Sequence, residues 1–226
     1  LVLRLDDGAA LEDFVRRNAA VTSPALLPEL RHYAATEITP LWEMAEAELE
    51  REGLPPPFWA FAWAGGQALA RYALDHPEIV KGKRVLSFAS GAGLEAIAAA
   101  LSGASRVWAN DVDPLALAAS RLNAALNGAS LETIGANLLE PGAEAPDAEV
   151  IFAGDICYEK PLAAQVEARL RGWSAEGRLV LLGDPGRTYL PRSGLERVAG
   201  YAVKTTKAIE DSDLRNAVVW RLPGPA

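Results

Sequence analysis

The chain has 226 residues, half of them hydrophobic and 23% charged, a composition that suits one sizeable α/β domain with a real core and excludes a disordered segment. Its formal net charge of −8 argues against a general nucleic-acid binder, which needs a basic face, and no apolar run approaches the roughly 20 residues of a membrane helix. The single cysteine, Cys157, allows no internal disulfide and, with only His32 and His76 beside it, no Cys/His metal cluster, so no metal is expected and a cytoplasmic, reducing compartment is.

No basic stretch leads into an apolar one at the start, so no signal peptide is expected. Ala10 to Asn18 is a short amphipathic helix. Thr39-Pro40 opens a longer one, LWEMAEAELERE, with Thr39 as N-cap, proline in the first turn and Gly53 as the stop. Pro55-Pro56-Pro57 breaks the chain stiffly and sets the boundary between a helical extension, 1–55, and a main domain, 56–226. Aromatic residues crowd 58–63, and Gly65-Gly66 leads into a helix over 67–75. From Arg84 onward, strands at 84–89, 106–110, 131–135, 149–154 and 178–183 alternate with helices at 93–102, 114–127 and 159–172. Such alternation implies a Rossmann-like, mostly parallel sheet covered on both faces. Tyr201 to Ile209 and Ala217 to Leu222 then read as an antiparallel pair closing a seven-stranded sheet.

The stretch from Arg84 to Pro114 carries the first functional signal. A strand ends in Ser90-Gly91-Ala92-Gly93, a helix follows, and a second strand ends at Asp111. Glycines let a ligand approach the backbone, and an acid at the second strand's end suits a ribose diol. The relaxed dinucleotide fingerprint fits this segment too, so a dehydrogenase binding NAD is a legitimate reading of it. A dinucleotide fold usually continues to a sixth parallel strand. An antiparallel finish is instead the closing feature of seven-stranded S-adenosylmethionine-dependent methyltransferases. The fourth strand, EVIFAGD, delivers Asp155 and then Tyr158 and Glu159 beside the first strand, at the sheet's switch point.

Five segments together are more selective than the glycine turn: FWAFAWAGGQALARY (58–72), KGKRVLSFASGAG (81–93), SGASRVWANDVDP (102–114), GDICYE (154–159) and GDPGR (183–187). In these the chain resembles the electron transfer flavoprotein beta-subunit lysine methyltransferases. Two positions depart from that family's pattern: Ser87 stands where an acid is usual and Ala89 where the first turn glycine stands. The resemblance implies S-adenosylmethionine as cofactor and a lysine-bearing protein as substrate, the flavoprotein's beta subunit or, in bacterial relatives, a ribosomal protein. A small-molecule N-methyltransferase and a non-catalytic cofactor-binding module are the alternatives; Ser87 and Ala89 motivate the second.

Under this reading Ser90, Gly91 and Gly93 face the methionine portion and Asp111 grips both ribose hydroxyls, while Asp113 caps the following helix. Asn137 either meets the adenine edge or forms a turn. By resemblance Trp63, Gly65 and Gln67 lie over the cofactor and Trp59 beside the substrate, offering aromatic faces to a sulfonium or an ammonium. Asp155 is expected to capture and orient the acceptor amine next to the cofactor, helped by Tyr158. Glu159 is either a second substrate carboxylate or a favourable acid at a helix start. Arg187 shapes the substrate entrance, holding its loop or an acidic substrate residue, and Cys157 is packing.

Overall fold

The computed structural model describes residues 6–37, 39–43, 56–205 and 213–224. Helix α1 (Gly8–Asn18) starts where the Asp7 carboxylate accepts from the backbone of Ala9 and Ala10. It buries Leu11 and Val15, one turn apart. Two three-residue strands, β1 (Ala20–Thr22) and β2 (His32–Ala34), pair antiparallel. The expected helical extension therefore also holds a small sheet, and strands this short show no periodicity to announce them. Helix α2 (Pro40–Glu43) opens at the expected proline; the remainder of LWEMAEAELERE and Gly53 lie outside the described residues. Thr39 bonds back through its hydroxyl to both backbone groups of Thr36.

After a 3-10 turn (Phe58–Ala60), α3 (Ala64–Asp75) precedes the main sheet. Its strands are β3 (Arg84–Phe88), β4 (Arg106–Asn110), β5 (Glu132–Ile134), β6 (Val150–Gly154), β7 (Leu179–Asp184), β8 (Glu196–Lys204) and β9 (Leu214–Leu222). Helices α4 (Leu94–Leu101), α5 (Pro114–Leu126) and α6 (Lys160–Ala175) connect them. The order is β5-β4-β3-β6-β7-β9-β8. The first five strands are parallel, β9 runs antiparallel to β7, and β8 is antiparallel to β9. The seven-stranded α/β fold with an antiparallel close is as the sequence implies. Strand β8 begins at Glu196, five residues before the expected Tyr201; its first five residues are almost all exposed and show no buried-face alternation to announce a strand. Residues 206–209 of that expected strand lie outside the described residues.

Strands β3, β6 and β7 are buried along almost their whole length, which explains why they read as continuous apolar runs rather than alternating ones. On one face they pack against α3 and α4 through Ala68, Leu69 and Ile97. On the other they pack against α6 through Val166, Leu170 and Trp173. A third cluster joins Leu11 and Val15 of α1 to Trp59, Leu115, Ala119 and Leu122. The N-terminal segment is thereby fastened to α5 by apolar burial. Asn123 and Asn127 add hydrogen bonds from α5 to the backbone of Tyr33 and Arg31.

Three backbone facts place the site. Adjacent strands β3 and β6 each end in a non-glycine residue with positive φ, Ala89 at 51° and Asp155 at 54°. Helix α3 meets β7 through glycines: a Cβ on Gly65 would collide with the Gly183 carbonyl and lie 2.7 Å from the Asp155 carboxylate. The helix N-terminus thus comes close enough for Gly66 N–H to donate to Asp155 at 2.8 Å.

Candidate active site

At the C-terminal ends of β3, β4 and β6 lies a cavity of about 530 Å³, in the range of small-molecule sites. Ala89 and Gly91 form its β3 side, Asp111 and Asp113 its β4 side, and Gly154, Asp155 and Ile156 its β6 side. Phe58, Trp59 and Trp63 close it from the aromatic segment, with Tyr158, Leu162 and Arg187 at the far end.

The Asp111 carboxylate is fixed by two backbone donors. Gly91 N–H reaches one oxygen at 2.9 Å and Asp113 N–H the other at 3.0 Å. A carboxylate accepts about four hydrogen bonds, so Asp111 keeps acceptor capacity for a ligand hydroxyl. Burial raises its pKa, and the backbone donors work against that rise. Asp113 caps α5 through Leu115 N–H at 2.8 Å, the role expected of it, and burial pushes it up to about 6.

Asp155 is buried at the centre. One carboxylate oxygen accepts from Gly66 N–H, the other from Arg187 Nη2 at 2.8 Å and Nε at 3.2 Å. The same guanidinium stacks over the Trp63 ring at 5.5 Å. A cation is therefore already seated between Asp155, assigned from sequence to the acceptor amine, and the face of Trp63, assigned to the cofactor. Arg187 is held in its turn because Asp184 accepts from Gly186 N–H and Arg187 N–H, both at 2.7 Å. Tyr158 is half exposed and tilts against Phe58 at a ring separation of 5.8 Å. Burial, then the charge of Glu159, raises its pKa and keeps the phenol protonated.

A family model for ribosomal protein L11 methyltransferase (PrmA) matches residues 67–180. The electron transfer flavoprotein beta subunit lysine methyltransferase of Danio rerio is 37% identical over 218 residues, covering 93% of this chain and 83% of the relative. The Homo sapiens protein of that name is 37% identical over 221 residues, with 93% and 81% covered. The chain belongs to the electron transfer flavoprotein beta subunit lysine methyltransferase family. A Pyrococcus horikoshii protein described as an RNA methyltransferase superposes with a TM-score of 0.52 at 14% identity, over 71% of this chain and 84% of that one. That is a likeness of fold.

Against this family frame, several residues assigned from sequence stand away from the cavity wall. Gln67 is buried, donating to Ala62 O at 2.6 Å and accepting from Leu26 N–H at 3.0 Å, so its amide fastens the N-terminal segment. Gly65 serves the contact between α3 and β7. Gly93 sits tight against Ser120, where a Cβ would lie 2.7 Å from the hydroxyl. Ser90 is buried and its hydroxyl has no hydrogen-bond partner. Glu159 is exposed at the start of α6. Asn137 does line the cavity, and it also makes the turn: its Oδ1 accepts from Leu139 N–H at 3.1 Å. Cys157 is buried packing, with burial pushing its thiol up to about 12.

Two residues escaped the sequence reading. Asn110 is buried under the cavity and ties β4 to the backbone of Ile134 and Ala136 at 2.9 and 2.8 Å. Glu95, in the first turn of α4, is buried against Gly66 and Gly154, where a Cβ on Gly154 would collide with its carboxylate. Burial first, then the charges of Asp155 and Asp111, raises it to about 7. The available signal was an acid inside the otherwise apolar run LEAIAAAL. Ser87, the position lacking the usual acid, is itself buried in β3.

Proposed function

We propose that the cavity binds S-adenosylmethionine through Gly91, Asp111 and the adjoining walls, and that Asp155 positions a protein lysine for methylation. Family membership supports the reaction. The observation that carries the site is the convergence of Asp111 and Asp155 on one cavity at the switch point of the sheet. The residues fit the cofactor: Gly91 presents backbone without a side chain on the wall, and Asp111 offers a fixed carboxylate. When bound, the cofactor supplies an electrophilic methyl group on a positively charged sulfur.

The chain's own residues must bind and deprotonate the acceptor. A lysine amine has a pKa near ~10.4 and arrives as ammonium. A lone carboxylate would hold it in that form. Here Arg187 offsets the charge of Asp155, which weakens that pull while the carboxylate still orients the amine. Apolar walls from Phe58, Ile156 and Leu162 disfavour the charged form by desolvation, the shift that frees the lone pair. Tyr158 packs beside the acceptor at the mouth. Water carries the proton away, and alignment is the larger catalytic contribution.

The substrate belonging to this proposal is the beta subunit of an electron transfer flavoprotein, in line with the names of the relatives. The match to the L11 methyltransferase model motivates ribosomal protein L11 as the second candidate. A cytoplasmic compartment and the division into an extension, 1–55, and a methyltransferase domain, 56–226, belong to the same proposal. Among the described residues no helix is long and apolar enough to cross a membrane. The test offers both proteins with methyl-labelled S-adenosylmethionine. Label is expected on lysine of the beta subunit, and failure to label any protein in a lysate overturns the substrate class.

A further inference from the structure

Glu95 lies behind the cavity wall rather than on it. Its carboxylate rests on two glycines: a Cβ on Gly66 would lie 2.9 Å from it, and one on Gly154 would collide with it. Gly154 lines the cavity, and Gly66 N–H donates to Asp155. Backbone without side chains is thus what stands between this carboxylate and the Asp155 end of the cavity. Glu95 is only 6% exposed, and its own backbone N–H donates to it. The charged groups acting on it are acids, Asp155 at the end of β6 and Asp111 at the end of β4. Its own helix, α4, carries no other titratable side chain. The first one along α3, Arg71, is more than a turn beyond Gly66 and paired with Glu29 and Asp75. Beyond β7, Arg187 is engaged by Asp155. Ser87 alternates with Val85 on the face of β3 that α3 and α4 cover, so this chain, lacking an acid at 87, presents one to the same face from α4. An acid buried beside two others is costly to ionise, and that cost falls when a cation enters the cavity.

We propose that Glu95 is the counter-charge to the sulfonium of S-adenosylmethionine, so that binding this cofactor, but not its demethylated product, releases a proton. The inference rests on the cofactor occupying this cavity and adds the residue that distinguishes it from the product. S-adenosylmethionine and S-adenosylhomocysteine differ by one methyl group and one positive charge on sulfur. That charge stabilises the Glu95 carboxylate across the buried glycine layer, where the field is weakly screened. Glu95 stands at about 7, so just below that pH most molecules hold a proton that a downward shift expels. After transfer the positive charge leaves with the methylated lysine. The thioether that remains is neutral, and Glu95 takes a proton back from water. The product is then held less tightly than the cofactor, which favours exchange.

The experiment titrates the whole protein with each compound in a calorimeter, in buffers of different ionisation enthalpy, and reads the protons released. At pH 6.5 the wild type is expected to release about half a proton more with S-adenosylmethionine than with S-adenosylhomocysteine, as for a group moved down by about one pKa unit. The same shift raises the affinity ratio of the two compounds about tenfold between pH 5 and pH 8, because the carboxylate form attracts the sulfonium. In Glu95→Gln this half proton and this tenfold rise are lost. Asp113, pushed up to about 6 on the cavity wall, is present in both proteins and cancels between them. The pair of ligands tests the linkage in the wild type without any variant. A ratio that does not change with pH in the wild type overturns the inference. So does extra proton release that survives undiminished in Glu95→Gln, which assigns it to Asp113 or Asp111. Binding of neither compound is a different result: it removes the cavity as the cofactor site, and the role of Glu95 with it.

Discussion

Replacing Glu95 by glutamine should make the protein more stable at alkaline pH and leave it unchanged in acid. Glu95 is buried between α3, α4 and β6, and its pKa stands at about 7 against an ordinary 4.5. Between those two values the unfolded chain has released this proton while the folded chain still holds it. Stability therefore falls as pH rises from about 4.5 to about 7, and the loss is complete above that. The interval corresponds to about 3 kcal/mol, an upper value, because the buried site can relax around the charge. Two neighbours enlarge the effect, the Asp155 carboxylate at the end of β6 and Asp111 at the end of β4. Glutamine keeps the shape of the protonated acid and never ionises. For a chain of this length about 3 kcal/mol is a Tm rise of roughly 6–12 °C.

The assay is thermal unfolding of wild type and Glu95→Gln at pH 5 and pH 8. Asp113, pushed up to about 6 by burial, also titrates in this interval, but it does so in both proteins and cancels in the difference. The two should coincide at pH 5 and separate at pH 8 with the variant higher. A difference that is the same at both pH values would show that Glu95 does not carry a raised pKa in the folded state. A variant less stable at pH 8 would mean that the carboxylate has a cationic partner.

Three further outcomes follow from the site's geometry. Asp155→Asn keeps the side chain's shape and tolerates the positive φ; it should lower methyl transfer about a hundredfold through lost orientation. Its stability should drop by about 2 kcal/mol, less than for a fully buried pair because the guanidinium is 21% exposed; unchanged turnover would remove Asp155 from the reaction. Ala89→Gly relieves the left-handed conformation of Ala89 at the cost of a more flexible unfolded chain, for a net gain of up to about 1 kcal/mol in a denaturant melt. Gly65→Ala forces a methyl group against the Gly183 carbonyl and beside Asp155; it should cost about 3 kcal/mol and most of the activity together, and a wild-type melt would contradict the close approach of α3.

The parallel core was legible because its strands are buried on both faces and read as plain apolar runs between glycine turns. The placement of Gly91 and Asp111 on the cavity wall was legible for a similar reason: both sit at strand ends, where position along the chain already fixes position in space. What stayed hidden depends on contacts between distant segments. Gln67 and Gly65 read as ligand-facing because they belong to a recognisable motif; in the structure Gly65 allows the close contact of α3 with β7 and Gln67 holds Leu26. Strands β1 and β2 have three residues each and draw their pairing from α5, through Asn123 and Asn127. The bond between Asp155 and Arg187 crosses 32 positions, a distance at which sequence shows two charges and not their partnership.

That partnership bears on how the site balances binding against reaction. An acid that captures an ammonium also stabilises it, so a methyltransferase built on a bare buried carboxylate would bind lysine in its unreactive form. The structure tempers Asp155 in two ways at once. Gly66 N–H, at the N-terminus of α3, and Arg187 both donate to it, drawing off charge that would otherwise raise the pKa of an incoming amine. Asp155 also adopts positive φ directly after β6, beside Ala89 after β3. Two neighbouring chain ends are thus bent into an unfavourable conformation at the place where cofactor and acceptor would meet. Strain of this kind survives only where the surroundings over-determine it, and here the glycine contact of α3 with β7 and the Asp184 turn supply that constraint. The carboxylate is consequently fixed in direction and moderated in charge, which suits the role proposed for it, aiming a neutral amine rather than retaining a charged one.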